Sequence, residues 1–176
     1  FGSGLHSQIQ SPYLNFFSNI PGNGPGTEGG LNLYNLDLGL TKSAHFVAGY
    51  DALLSQNTRF KTEVYYQYLY NIPSFTDSLD AYSLINAGSG FSRFFPGPLA
   101  DIGTGRNYGW EVTVERFFKG GYYFLVTGSL FDAKFRGSDG ILHNTTFNGR
   151  YAFNALFAKE WNFKNGFSFN LGGKFT

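Results

Sequence analysis

Apolar and polar side chains take turns along much of this chain. In KSAHFVAGYD, Ala44, Phe46, Ala48 and Tyr50 fall on one side of an extended backbone, and Ser43, His45 and Asp51 on the other. RFKTEVYYQYLYN sets Phe60, Thr62, Val64, Tyr66, Tyr68 and Tyr70 against Lys61, Glu63, Gln67 and Asn71. YGWEVTVERF sets Tyr108, Trp110, Val112 and Val114 against Glu111, Thr113 and Glu115. RYAFNALFAKEW sets Tyr151, Phe153, Ala155, Phe157 and Trp161 against Arg150, Asn154 and Glu160. GFSFNLGGKFT alternates Phe167, Phe169, Leu171 and Phe175 with Ser168, Asn170, Gly172 and Lys174. YYFLVTGSLFDAKF starts ambiguously and then sets Phe131, Ala133 and Phe135 against Asp132, Lys134 and Arg136. A period of two is the signature of half-buried strands. GSGLHSQ adds a partial seventh, and no long segment has a 3.6-residue rhythm.

The connections alternate as well. Ser55–Thr58 (SQNT), Lys119–Gly121 (KGG) and Phe163–Gly166 (FKNG) are tight, Asn- and Gly-rich hairpin turns. Between them run long connections over about Ile9–Leu40 and Pro73–Arg106, and a shorter one, GSDGILHNTTFNG. Antiparallel strands with tight turns at one end and long loops at the other describe an up-and-down transmembrane β-barrel. Apolar/polar units of about ten residues match a tilted strand crossing a bilayer. Aromatic residues gather near strand ends, at Tyr66, Tyr68, Tyr70, Phe117, Phe118, Tyr122, Tyr123, Trp161 and Phe163, where interfacial girdles form. The pattern expects Phe60, Val64, Tyr66, Trp110, Val112, Val114, Tyr151, Phe153, Phe157, Phe167 and Phe169 on the lipid side. Glu63, Gln67, Glu111, Glu115, Asn154 and Asn170 are expected to face the lumen.

Composition sharpens this picture. Aromatic residues make up 20% of the 176 residues and charged residues only 14%, against about 25% charged in soluble domains. The mean hydropathy is nonetheless −0.20, so greasy and polar positions are finely interleaved. A soluble β-sandwich or lipid-binding barrel would also alternate, but it needs a well-charged exterior. A formal net charge of +1 does not make a nucleic-acid surface. The absence of cysteine excludes disulfides and thiolate metal sites.

Several segments then resemble a known family. KSAHFVAGYD with RFKTEVYYQYLYNIP, GRNYGWEVTVERFFKGGYYFLVTGSLFDAKFRGSDG and NTTFNGRYAFNALFAKEW are similar to the barrel of TonB-dependent outer-membrane receptors of the Bacteroidetes type. NYGWEVTVER, FRGSDG and TFNGRYAFN carry most of the resemblance, which spans the whole of residues 1–176. It implies a barrel of about 22 strands with a plugged lumen, of which this chain supplies about seven as a single internal segment. It implies a location in the bacterial outer membrane and energised uptake of a scarce small-molecule or oligomeric nutrient. The expected partners are outer-membrane lipid, the remaining barrel strands, a plug domain, and TonB through an amino-terminal region. The plug, the TonB-contacting segment and the final strand are expected to lie outside this sequence. A small outer-membrane barrel acting as adhesin or anchor is the alternative from another class.

No cofactor or catalytic role is expected. GPGTEG (Gly24–Gly29) has the glycine spacing of a dinucleotide loop but lacks the flanking strand and helix. His6, His45 and His143 lack metal-ligand spacing, and no G-x-S-x-G nucleophile elbow occurs. The candidate substrate contacts are aromatic residues of the long loops, Tyr13, Phe16, Phe17, Tyr34, Phe91, Phe94 and Phe95. Loops on a rigid scaffold carry recognition, and aromatic faces stack on ligands. Asp132, Lys134 and Arg136 are candidate lumen-mouth charges, either a ligand-facing or loop-anchoring cluster at the external mouth or ordinary lumen polarity paired laterally with Arg150 or Glu111.

Overall fold

A computed structural model of the chain describes residues 1–15, 18–19, 32–77, 81–87 and 97–176. Among these residues ten strands form: β1 (Gly2–Gln8), β2 (Ser18–Asn19), β3 (Asn32–Leu33), β4 (Thr41–Ser55), β5 (Thr58–Phe75), β6 (Leu99–Lys119), β7 (Tyr122–Arg136), β8 (Leu142–Asn144), β9 (Tyr151–Asn162) and β10 (Ser168–Phe175). Helix among the described residues is one four-residue turn, Pro12–Asn15, and one 3-10 turn, Leu84–Asn86. Eight strands make one antiparallel sheet in the order β1-β4-β5-β6-β7-β9-β10, with β8 folded back onto β7. β2 and β3 pair separately. The chain is therefore all-β and runs up and down. The sheet is open, with β1 and β10 at its two edges.

The tight turns fall where expected, each with a local reason. Gly120 and Gly121 link β6 to β7 with φ of +68° and +78°, the left-handed geometry of a hairpin turn that only glycine adopts without strain. The Gly121 carbonyl also accepts a 2.6 Å hydrogen bond from the Glu160 amide, fastening this turn to β9.

The second long connection is shorter than the sequence suggests. β5 continues past Pro73 to Phe75, and β6 already begins at Leu99. Proline and the glycines of DIGTGR hide these strand ends, because both are strand breakers in general. Here the register shifts between Leu69 and Ile72 and again between Ile72 and Ser74, which accommodates the irregular residues. Asn71, at φ +54°, sits in the first of these shifts. Gly103 lies against the Ile72 carbonyl, where a Cβ would meet it at 2.7 Å.

Directly paired residues in a sheet share a face, so the register separates two sides. One carries Phe46, Ala48 and Tyr50 of β4, Phe60, Thr62, Val64 and Tyr66 of β5, and Tyr108, Trp110, Val112 and Val114 of β6. It continues through Phe124, Val126, Gly128 and Leu130 of β7 and Tyr151, Phe153, Ala155 and Phe157 of β9, to Phe169, Leu171 and Phe175 of β10. The other side carries Glu63, Gln67, Glu111, Glu115, Asn154 and Asn170. The two sets separate onto opposite sides at these strand positions, whereas β7 beyond Leu130 departs from the expected sorting. Phe167 precedes β10 and lies in the turn.

The apolar side is uncovered: Val64 is 51% exposed, Trp110 49% and Phe169 54%. What little is buried sits elsewhere. Leu14, Ile72, Pro73, Leu99 and Phe135 are the large buried apolar side chains among the described residues. They belong to the end where the long connections converge.

Candidate functional site

The polar face holds one continuous network. Gln67 on β5 donates from Nε2 to Ser43 Oγ on β4 at 2.9 Å, and its Oε1 accepts from Asn107 Nδ2 on β6 at 3.0 Å. One amide thus ties three strands. Towards the tight turns lies a groove of about 350 Å³ lined by His45, Val47, Glu63, Tyr65, Gln67 and Glu111. Its floor depends on glycine. Tyr65 lies flat across Gly109, where a Cβ would meet its hydroxyl at 2.7 Å, and the Glu63 stem crosses Gly49 at 2.9 Å. His45 meets the Tyr65 ring edge-on, with centroids 6.4 Å apart. Glu63 and Glu111 face each other directly, an unfavourable like-charge pair that is offset in part by Lys61 Nζ, 2.6 Å from Glu63. Asp51 takes a bidentate bond from Arg59 beyond them, with Nε to Oδ1 at 2.9 Å.

At the opposite end the long connections pack over this same face. Ile85 lies against Gly105 and Leu69, so close that a Cβ on Gly105 would meet it at 2.8 Å. Asn35 accepts from the Leu99 amide at 2.8 Å. Asn86 Oδ1 accepts from both the amide (2.6 Å) and the hydroxyl (2.9 Å) of Thr146. Ser138 donates to the Asp77 carbonyl. The Ala81 carbonyl closes on Gly137, leaving no room for a side chain there. Phe135 is buried beneath His143, with ring centroids 5.6 Å apart. His143 Nε2 lies 2.6 Å from Asp139, whose carboxyl is held below the usual carboxylate range chiefly by that hydrogen bond. The result is a tied cap over one end of the polar face.

No family model, no curated protein and no solved structure matches this chain.

The sequence candidates distribute unevenly over this architecture. Tyr34 lies in the loop cluster, 40% exposed and next to the buried Asn35. Tyr13 is on the four-residue helix whose Leu14 is buried. Phe16, Phe17, Phe91, Phe94 and Phe95 lie outside the described residues. The charges Asp132, Lys134 and Arg136 require a correction. They pair with Tyr108, Arg106 and Thr104, and so share the side of Trp110 rather than that of Glu111. Asp132 bonds the Tyr108 hydroxyl (2.9 Å) and Asn148 Nδ2 (2.8 Å), and Lys134 Nζ lies 3.1 Å from it. Its partners are therefore neither Glu111 nor Arg150. Phe131, Ala133 and Phe135 take the polar side instead, where the cap covers Phe135.

The residues opposite His45 are Gly4 and Gln67, so no serine stands across from its imidazole. Among the described residues no three His, Cys, Asp or Glu side chains converge as a metal site. Sequence reading placed Glu63, Gln67 and Glu111 on the polar face but missed Val47 and Tyr65. Both are apolar or aromatic side chains at alternating positions that otherwise carry polar ones, and the spacing of two from His45, Glu63 and Gln67 was the signal that could have found them.

Proposed function

We propose that this chain is part of the wall of an outer-membrane β-barrel, and specifically of a TonB-dependent transporter for a scarce nutrient. The apolar band supports the membrane reading most directly. On the exposed side of β6 no charged residue lies between Arg106 and Arg116. Those ten residues span about 33 Å at about 3.3 Å each, or about 25 Å of height at a tilt of about 40°, the band a membrane barrel presents to lipid. On β7 and β9 the band is likewise bounded by Asp132 above and Lys159 below. Tight turns lie at the lower border and long loops at the upper. The sheet's open edges, at β1 and β10, carry unpaired backbone groups that lipid cannot satisfy and that in water invite pairing with other chains, and further strands of the same barrel are their natural partners.

The polar face then lines the lumen, and its loop cap forms part of the external mouth. The transport reading rests on the resemblance of NYGWEVTVER, FRGSDG and TFNGRYAFN to the receptor family. The work of this segment is passage and recognition, without covalent chemistry.

Residues 1–176 hold no cysteine, so with any cysteine elsewhere in the full-length protein replaced by serine, cysteines introduced here report the membrane reading directly. Single cysteines at Val112, Val114 and Phe153, and at Thr113, Glu111 and Asn154, are placed in the full-length protein in native membranes. A water-soluble maleimide is expected to label only the second set. Equal labelling of both sets refutes the membrane reading. Binding of the purified full-length protein to the isolated carboxy-terminal domain of TonB tests the transport reading separately, and absence of binding refutes it.

A further inference from the structure

Two cations on the apolar side converge on one ring at its tight-turn border, with no carboxylate partner on that side among the described residues, and a third, Lys119, is directly paired with that ring's residue, Tyr122. Arg116 on β6 lays its guanidinium over the Tyr122 ring, 4.3 Å from the centroid. Lys159 on β9, directly paired with Tyr122, points its ammonium at the same ring from 5.2 Å and at Trp161 from 5.9 Å. The nearby acids Glu115 and Glu160 lie on the polar side, Glu160 bonded there to Asn162. Arg116 Nε is shielded from solvent and has no hydrogen-bond partner. Two like charges converging on one aromatic ring repel each other, and a shared anion between them relieves that repulsion.

The same three strands carry an apolar recess higher up. Gly128 has nothing within 4 Å of where a Cβ would stand. The gap it leaves is a hollow of about 350 Å³ lined by Trp110, Val112, Leu130, Tyr151 and Phe153 among others. From Tyr122 to Gly128 is six residues along one strand, about 20 Å at about 3.3 Å each. The path between runs over Phe124, Val126, Ala155 and Phe157, all on the same side.

We infer that this strip is a specific phospholipid site, with the headgroup phosphate held between Arg116 and Lys159 above Tyr122 and one acyl chain lying along β7 into the Gly128 recess. A phosphate suits the pair because it is an anion with oxygens for both donors. An apolar groove leading away from the cations suits a lipid and not a free anion. The inference rests on the proposal that this face lies in the membrane. It concerns the leaflet next to the tight turns.

The test is native mass spectrometry of the full-length protein released from detergent with phosphatidylglycerol, with diacylglycerol of the same chains, or with inorganic phosphate. The unmodified protein is expected to keep one phosphatidylglycerol, to keep no diacylglycerol, and to hold its lipid against millimolar inorganic phosphate. Arg116→Gln with Lys159→Gln is expected to weaken retention roughly thirtyfold, each cation near an anionic lipid surface being worth about fivefold. Arg116→Lys with Lys159→Arg is expected to restore it, which separates charge from folding. Gly128→Phe, which fills the recess without touching charge, is expected to weaken retention severalfold. Retention unchanged in the glutamine pair or in Gly128→Phe overturns the inference. So does displacement by inorganic phosphate, which marks a simple anion site, or a two-chain complex in place of the lipid adduct. Quenching of Trp110 by brominated acyl chains separates this failure from the larger one: quenching with unaltered lipid retention sinks the site alone, and no quenching sinks the membrane reading.

Discussion

Val112→Arg is the sharpest perturbation of the apolar band. The midpoint between the bordering Arg106 and Arg116 falls at residue 111 on β6, so Val112 lies about 3.3 Å along the strand from it. At a tilt of about 40° that is about 2.5 Å of depth. An arginine at the midplane of a barrel's lipid face costs about 2–4 kcal/mol, falling to about 0–1 kcal/mol near the interfaces. The expected loss at Val112 is therefore about 3 kcal/mol. Val114, two residues from Arg116 and about 5 Å of depth from the border, is expected to lose about 1–2 kcal/mol. Sterics do not confound the comparison, because the residue paired with Val112 is Gly128, which has open space above it. Thr113→Arg points to the opposite face, among Lys61, Glu63 and Glu111, and is expected to cost under about 1 kcal/mol. Folding titrations of the full-length protein into phospholipid vesicles in guanidinium, at matched lipid ratios, give all three values. The reasoning depends on their order. Equal losses at Val112 and Thr113, or a larger loss at Val114 than at Val112, refutes a bilayer centred on this band.

Three further outcomes follow from the turns and the loop cap. Gly121→Ala forces a φ of +78° on a residue with a Cβ and drives that Cβ to 2.6 Å from the Glu160 carbonyl, so the same titration should register a loss of about 2 kcal/mol or more, against about 1 kcal/mol for Gly120→Ala, whose site is open. Asn86→Ala removes the acceptor of both Thr146 donors, worth about 1 kcal/mol, so limited proteolysis between β7 and β9 should speed up about fivefold while the sheet stays protected; an unchanged cleavage rate argues against the tie. Asp139 has a lowered carboxyl pKa in the folded chain, first through His143 and also through the Ile141 amide, so its contribution to the β7–β9 connection is full above the usual carboxylate range and is lost as the pH falls through the folded value. Nuclear magnetic resonance of the Ile141 amide should follow that loss, and Asp139→Asn should abolish the acid dependence.

How far the pattern of the sequence carries can be judged strand by strand. Period-two alternation in β4, β5, β6, β9 and β10 sorted the side chains named within those strands into the two sides the register shows, because each strand meets one consistent environment on each side along most of its length. The tight turns were legible from Asn and Gly. The ends of β5 and β6 were not, because Pro73 and Gly103 read as breakers, whereas shifts in register absorb them locally. The groove was half legible: the acids, Gln67 and Tyr65 share the polar face by alternation, but the room for the Tyr65 ring, which Gly109 leaves bare, does not show in the pattern. That dependence joins residues 44 positions apart, and periodicity has no access to it.

The reversal in β7 has a different cause. Phe131, Ala133 and Phe135 look like the apolar side of a strand and Asp132, Lys134 and Arg136 like its polar side, yet the register puts each set on the opposite face. The chain has not slipped. β6 and β7 pair without a shift from Thr104 to Arg116, so a single register joins Trp110 to Leu130 in the band and Arg106 to Lys134 above it. What changes along the strand is the surroundings. Within the band the exposed side takes apolar residues and the other side takes Thr127 and Ser129. Beyond the upper border, in the proposed membrane setting, the outward side leaves lipid for water and favours charge, while the inward side is covered by Ile85, His143 and the rest of the loop cap and favours apolar residues such as Phe135. Hydrophobicity in a strand reports what lies against it and not which way is in. A strand that crosses from bilayer to solvent under a folded loop therefore inverts its own code midway. The point of inversion in β7, between Leu130 and Asp132, coincides with the upper edge of the charge-free band set by Arg106 on β6 and Asp132 on β7. If the band is a bilayer, moving the inversion should move the bilayer with it: Asp132→Leu with Lys134→Leu and Arg106→Leu, the residue paired with Lys134, extends the apolar side by two outward positions, about 10 Å of height at the same tilt, and should raise folding efficiency in thicker vesicles relative to thin ones. An unchanged preference for bilayer thickness contradicts the assignment of this border.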